Sequence, residues 1–242
     1  MDDEHPPLPR ALALLWQQGG ATPRPRGLSR ERIVEVAIEL ADADGLAALS
    51  MGRLAQRLGC GTMSLYRHIA NKDELVTFML STATGAPPVL PRADGWRGAI
   101  SAWAEGLWEV YHRHPWVLSA TAAGPPADPG QLGWLDRGLT ALAGTGLPER
   151  EKMAGVMAVL HYVRGAAALD IAAGESDTIF PQLLRQVVDA TRFPAVAAAL
   201  DAGVFDGDTD RLADFRSGLT AVVDGIAARV RGAGHPRHPG DA

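Results

Sequence analysis

The sequence has a single cysteine among its 242 residues and no uninterrupted apolar run near the roughly 18 residues that span a bilayer. Cys60 therefore has no partner for an internal disulfide, and a reducing, cytoplasmic setting is expected. The opening residues Asp2, Asp3 and Glu4 are acidic where a secretory leader would place cations, so no leader is expected. Sustained period-2 alternation is missing and β-branched runs are few, which argues against strands. With no predicted strand ahead of any glycine-rich segment, neither a phosphate loop nor a dinucleotide fingerprint is present. The seven histidines form no ligand pattern. His112 and His114 stand two apart, a spacing that turns them to different sides of a helix, and His235 and His238 fall in a Gly- and Pro-rich tail. Cys60 has no evident base beside it. No catalytic residue, cofactor or metal is expected, and the chain is not expected to be an enzyme.

What is present is the balance of a globular protein: 47% hydrophobic residues and 21% charged. The net charge of −5 argues at first against a nucleic-acid partner, but the charge is unevenly spread. Residues 50–72 carry four cations (Arg53, Arg57, Arg67 and Lys72) and no acid, which leaves the rest of the chain at −9. Phosphate contacts are local, because the Debye length is roughly 10 Å, so a cationic segment on an acidic body can still bind DNA.

Residues 1–27 hold five of the 17 prolines and a Gly19-Gly20 pair, and read as a mostly disordered arm with room for a short helical turn over residues 11–17 around Trp16. Residues 233–242 read as a flexible tail. Between them the pattern is helical throughout. Ser29 offers an N-cap to a helix carrying Ile33, Val34, Ala37, Ile38 and Ala41, which Gly45 stops. Ser50 caps a short segment with Leu54, Ala55 and Leu58; a third runs over about 62–69, and a fourth starts near Lys72. Longer helices follow over Trp96–Val110, about 129–143, about 149–173 after Pro148, and about 209–231. The spacing predicts an all-α fold of nine or ten helices. An N-terminal helix-turn-helix domain at 28–75 would precede a larger helical domain at 76–232.

Gly59, Cys60 and Gly61 separate the second and third segments by the tight connection of a helix-turn-helix. At roughly 100° per residue, residues 62–69 send Leu65 and Ile69 toward the preceding helices and Met63, Ser64 and Arg67 to the opposite side. Tyr66 and His68 take the flanks. Arg67 can donate two hydrogen bonds to guanine, Ser64 can donate or accept, and Met63 can touch a thymine methyl. Tyr66, His68 and Lys72 would reach phosphates, while Thr62 starts the helix, caps it and meets a phosphate or base. A plain surface helix of mixed polar residues has the same spacing.

Residues 28–80 resemble the DNA-binding domain of the TetR family. The resemblance is carried by Ile33 to Leu40, by Leu54-Ala55, and by Gly61-Thr62-Met63-Ser64-Leu65-Tyr66-Arg67-His68-Ile69 followed by Asn71-Lys72-Asp73-Glu74-Leu75. The family's block of Leu-Tyr-x-His-hydrophobic, then lysine and leucine, stands here as Leu65, Tyr66, His68, Ile69, Lys72 and Leu75. The resemblance implies phosphate contacts for Tyr66 and Lys72, and a homodimer whose reading helices enter successive major grooves of a palindromic operator, with half-sites about 34–36 Å apart. Gly52 stands where many members place a DNA-contacting polar residue, which would pass that role to Arg53. Arg24 and Arg26 in the arm are further candidates for DNA contact.

Arg113-His114-Pro115-Trp116 and Asp224-Gly225-Ile226 resemble the C-terminal domain of the tetracycline-repressor type, which implies that helices 149–173 and 209–231 form a four-helix bundle with a partner subunit. Gly155, Gly165, Ala166 and Ala167 would permit close approach, or simply face an internal core. Five tryptophans fall between residues 96 and 134. Trp103, Leu107, Trp116 and Trp134, with Met153, Met157, His161 and Arg164 from the next helix, are candidates to line a pocket for an effector of unidentified chemistry, or else plain core. The function expected is a ligand-responsive repressor released from its operator by a small molecule. The alternative keeps the fold but makes the helical body a protein-interaction module, or the protein an activator, with no small-molecule effector.

Overall fold

The computed structural model describes residues 8–17, 27–91, 93–121, 127–173, 179–205 and 210–233. Among these residues every regular element is helical: twelve α-helices and two 3-10 turns. The chain divides into two compact units, Met1–Val156 and Met157–Ala242, with the boundary inside one long helix. Twelve exceeds the nine or ten expected because three short helices, at 116–120, 179–187 and 194–201, fall outside the segments expected from the sequence. They span five, nine and eight residues, lengths at which a helix owes its existence to packing more than to its own pattern.

The first unit holds α1 (Arg10–Gln17), α2 (Arg30–Asp44), α3 (Met51–Arg57), α4 (Thr62–Tyr66), α5 (Lys72–Ala83), α6 (Gly95–Arg113), α7 (Trp116–Ala120), α8 (Pro129–Ala141) and the start of α9 (Glu149–Ala173). The Ser29 hydroxyl accepts from Arg32 N at 3.2 Å, satisfying one orphan amide of α2, and Gly45 ends that helix at φ 79°. The buried face of α2 includes Ile33, Val34, Ala37 and Ala41, but also Val36 and Leu40, whereas Ile38 is only half-buried. α2 packs on α3, on α5 and on the 3-10 turn Leu46–Ala48, so its buried face is wider than one stripe.

Part of the N-terminal arm is ordered helix. α1 lies on α5 with Ala11 buried, and Arg10 Nη1 donates to both carboxylate oxygens of Glu74 at 2.7 and 2.8 Å. At its other end Trp16 Nε1 donates to the Ala127 carbonyl at 3.1 Å. Arg24, Arg26 and most of the expected tail lie outside the described residues.

Behind the head, α6 and α8 pack together around Trp103, which is 1% exposed. Trp103 Nε1 donates to the Trp134 carbonyl at 2.8 Å, and Trp134 Nε1 donates to the Thr84 carbonyl at 2.9 Å at the end of α5. Each indole thus fills core while its one polar atom is satisfied. Gly138 lies against the Trp103 ring: a Cβ there would fall 3.0 Å from two ring carbons and from Val156 Cγ1.

The second unit holds the rest of α9 with α10 (Ile179–Val187), α11 (Pro194–Asp201) and α12 (Arg211–Ala233). Val159, Val163 and Ala167 on α9 are buried, as are Phe215, Leu219, Val223 and Ile226 on α12. Tyr162 stacks on Phe215 with ring centroids 5.7 Å apart and donates its hydroxyl hydrogen to the Phe215 carbonyl at 2.8 Å. Burial, reinforced by the Asp214 carboxylate, holds the Tyr162 phenol above its ordinary pKa. Gly218 makes room for that ring, since a Cβ would fall 2.2 Å from the Tyr162 hydroxyl and 2.8 Å from Cζ. Gly218→Ala should destabilise the protein by about 1–3 kcal/mol through overpacking against a rigid ring, read as a lowered denaturant midpoint at unchanged slope.

Candidate nucleic-acid interface

α3 and α4 are short helices positioned by their ends. Ser50 Oγ accepts from Arg53 N at 3.3 Å to open α3, and its apolar side buries Leu54 and Ala55. α3 closes in a Schellman turn: Gly59, at φ 65°, donates to the Gln56 carbonyl at 3.2 Å, and Cys60 N donates to the Ala55 carbonyl at 3.0 Å. α4 then starts on Gly61 as N-cap, with no side chain capping it. Thr62 is thus the first helical residue and not the expected cap, because the extended conformation that defines the cap falls on Gly61.

Leu65 and Ile69 are both 0% exposed, while Met63 is 75% and Tyr66 46% exposed. Arg67 and Thr62 are exposed; Ser64 and His68 are half-buried. The helix proper ends at Tyr66, and Arg67 keeps helical backbone angles just beyond it. Met63 and Arg67 therefore point away from the protein, with the half-buried Ser64 beside them. Lys72 Nζ lies at the edge, donating to the Leu46 carbonyl at 3.4 Å. Arg53 is engaged otherwise than the sequence suggested: its Nη2 lies 2.6 Å from Asp44 Oδ2, both side chains remaining partly exposed.

The exit from this segment is fixed by a buried carboxylate. Asn71 Oδ1 accepts from Glu74 N at 2.8 Å, and Glu74 Oε2 accepts from Ala70 N at 2.9 Å. This reciprocal cap joins the chain leaving α4 to the start of α5. A second junction ties α2 to the body: Trp116 Nε1 donates to Asp42 Oδ1 at 2.7 Å, and His114 Nδ1 lies 2.8 Å from the same oxygen.

The structure brings together only some of the residues expected to line a ligand pocket. Trp103, Leu107 and Trp134 are buried in the core of the first unit, and Trp116 is turned to Asp42. Met153 is 37% exposed. Met157 and Arg164 are half-buried and His161 exposed on the second unit. A cavity of about 730 Å³ opens elsewhere, between α1, the 3-10 turn, α5 and the α7–α8 connection, lined among others by Leu12, Leu46, Lys72, Val76 and Gln131. Nothing local in the sequence marks it, since its walls come from five separated segments. Among the described residues, no group of three or more His, Cys, Asp or Glu is placed to hold a metal ion.

The sequence profile of "Bacterial regulatory proteins, tetR family" matches residues 33–77, and that of "Tetracyclin repressor-like, C-terminal domain" matches residues 87–230. The chain belongs to the TetR family. It is a DNA-binding transcriptional regulator of the ligand-responsive repressor kind, and the activator or protein-interaction alternative is not favoured. It is 34% identical over 237 residues to the HTH-type transcriptional repressor DrrR1 of Streptomyces coeruleorubidus, covering 91% of this chain and 86% of that one. It is 30% identical over 225 residues to the class A tetracycline repressor from transposon 1721 of Escherichia coli, covering 88% of this chain and 99% of that one. Among solved structures it is similar to the Streptomyces coelicolor TetR family protein ActR in complex with actinorhodin. There the TM-score is 0.74 and the identity 26%, over 86% of this chain and 98% of ActR.

Beside α4, in the first turn of α2, a hydrogen bond from its own backbone amide holds the Glu31 carboxyl below its ordinary pKa, against the opposing effect of burial; Ser29, Arg30 and His68 add to the lowering. A carboxyl whose folded pKa is depressed contributes stability above its unfolded pKa and loses it as pH falls through the folded value. The melting temperatures of wild type and Glu31→Gln should therefore differ at neutral pH and converge on acidification below the ordinary carboxylate range, in a thermal-unfolding series against pH.

Proposed function

We propose that α4 reads an operator, with Met63, Ser64 and Arg67 meeting base edges and Thr62, Tyr66, His68 and Lys72 holding the phosphates on either side. The observation that carries this is the two-sidedness of α4: Leu65 and Ile69 are wholly withdrawn from water while Met63 stands 75% exposed at the tip. A methionine this exposed on a single-chain surface costs apolar hydration unless a partner covers it. The charge agrees, because no acid falls between residues 50 and 72. Arg53 joins only by exchanging Asp44 for a phosphate. The protein acts where chromosomal DNA is, in the cytoplasm.

Regulators of this family act as dimers. In this chain the faces that suit a second copy are on α9 and α12. By length and composition α9 is apolar enough to cross a membrane, yet little of it is buried within the chain. Met153 and Leu169 stand 37% and 75% exposed, and Gly165 and Gly225 sit in helix interiors with open space above them. An exposed mid-helix glycine costs about 1 kcal/mol relative to alanine, a cost offset where another helix must come close. A dimer paired through these faces carries two copies of α4, as a palindromic operator with half-sites one helical turn apart requires.

The effector is a flat aromatic molecule held by Trp103, Leu107 and Trp134 of the first unit, with Met153 from the start of α9. The support is the density of indole faces together with the relatives: one is named a tetracycline repressor, and ActR is seen with actinorhodin. The 730 Å³ cavity beside α5 favours a second locus, nearer Lys72. Binding at either site releases the operator by favouring a dimer in which the two α4 helices no longer match adjacent grooves, a coupling of about 1–3 kcal/mol.

Three measurements test these readings. In gel shifts on a duplex selected from a random pool, Tyr66→Ala and Lys72→Ala should weaken binding to all sequences alike. Lys72→Ala should also lower the slope of log affinity against log salt by about 0.9, while Arg67→Ala should relax preference at one base pair. Unchanged binding in all three would remove α4 as the reading element. Gly165→Arg should leave a folded monomer by light scattering and abolish operator binding; a persisting dimer would place the interface elsewhere. Titration with actinorhodin or tetracycline should quench tryptophan emission and release the duplex, and Ala47→Phe, which fills the cavity, should leave quenching intact if the tryptophan site is the one used.

A further inference from the structure

We propose that Arg10 is a positioning residue for operator binding, acting from outside the DNA-reading head by neutralising the buried Glu74 carboxylate that holds the end of the reading segment. The inference rests on α4 being the reading element and adds to it an ordered N-terminal helix ahead of the residues matched by the family profile, which begin at residue 33.

Glu74 is 6% exposed, although it carries a charge and sits in the first turn of α5. Its Oε2 accepts from Ala70 N at 2.9 Å, one residue beyond the fully buried Ile69, so the carboxylate sets where the reading segment leaves and α5 begins. The amide alone does not compensate a charge at that depth. The compensation arrives from residue 10: one nitrogen of the guanidinium, Nη1, bridges Oε1 at 2.7 Å and Oε2 at 2.8 Å. The guanidinium itself is largely at the surface, 57% exposed, where its own hydration is mostly retained. Burial of Ala11 against α5 and the Trp16–Ala127 hydrogen bond hold α1 in place, so Arg10 is presented by a docked helix and not by a wandering arm.

Without Arg10 the carboxylate gains by turning out to water, and in doing so it releases Ala70 N–H. The reading segment then loses the tether at its C-terminal end while Leu65 and Ile69 remain packed. The consequence is a reading helix of correct structure and imprecise placement, which costs affinity without removing any phosphate contact. Because a single nitrogen serves both oxygens, a lysine ammonium at position 10 can take over the role.

The test uses the full-length protein and a duplex selected from a random pool by the wild type. Arg10→Ala should weaken binding about tenfold, within the roughly 5–150-fold range of couplings between separate sites. The salt slope should stay unchanged, whereas loss of a direct phosphate contact lowers it by about 0.9. Amide exchange at Ala70 should quicken. Arg10→Lys should restore most of the affinity. In a Glu74→Gln background, where no buried charge needs neutralising, adding Arg10→Ala should change affinity little, the signature of coupled residues in a double-mutant cycle. If Arg10→Ala lowers the melting temperature enough to confound binding, Arg10→Lys against Arg10→Met, compared at a temperature where both are folded, gives the same discrimination. Wild-type affinity in Arg10→Ala, a fall in salt slope, or an undiminished effect in the Glu74→Gln background would each overturn the proposal. These outcomes leave the reading of α4 standing as long as Tyr66→Ala weakens binding to the same duplex.

Discussion

A helix of five residues cannot hold itself in water, because nucleation costs more than so few hydrogen bonds return. α4 exists only because Leu65 and Ile69 are drawn completely out of solvent by the surrounding helices of the head. The outward face of α4 follows from that burial. Two apolar residues four apart take one side of the rod and leave the other with no choice but to face out. The protein thus makes an outward-facing polar ridge by spending its local hydrophobic contacts on the ridge's opposite side. The glycines before α4 and the Asn71–Glu74 cap after it then set where the rod begins and how the chain leaves it.

Much of this was legible from residue types and spacing, and the reason is that the signals are local. Ser29, Gly45, Ser50 and Gly59 act within one turn of themselves, and the expected helix at 149–173 coincides with α9 because Pro148 and the apolar period mark it without help from the rest of the fold. The inward turn of Leu65 and Ile69 is equally local, a matter of counting along a wheel. What escaped depends on pairs that no single helical turn brings together. Arg10 and Glu74 are 64 residues apart, and nothing around Arg10 announces a buried acid. Arg53 looked free for DNA because its partner, Asp44, lies across a turn whose geometry is set by Gly45 and the 3-10 segment.

The tryptophans teach a related lesson. Their density is visible in the sequence, but whether indoles wall a space or fill it is decided by what stands opposite each ring. Gly138 beneath Trp103 and the carbonyls of Trp134 and Thr84 close the gaps, so these rings are packed core in this conformation. Among the described residues an open volume lies instead beside α1, walled by side chains from distant segments.

One carboxylate oxygen, Asp42 Oδ1, receives both the Trp116 indole and the His114 ring, from two residues that straddle Pro115 at the corner between α6 and α7. A single atom shared by two donors on a stiff corner behaves as a ball joint with two pins: α2 can follow the corner as a rigid lever, but any swivel of the corner relative to α2 must break one pin. Two pins on one oxygen therefore fix the direction of α2 at this corner as well as its distance, which neither hydrogen bond would do alone.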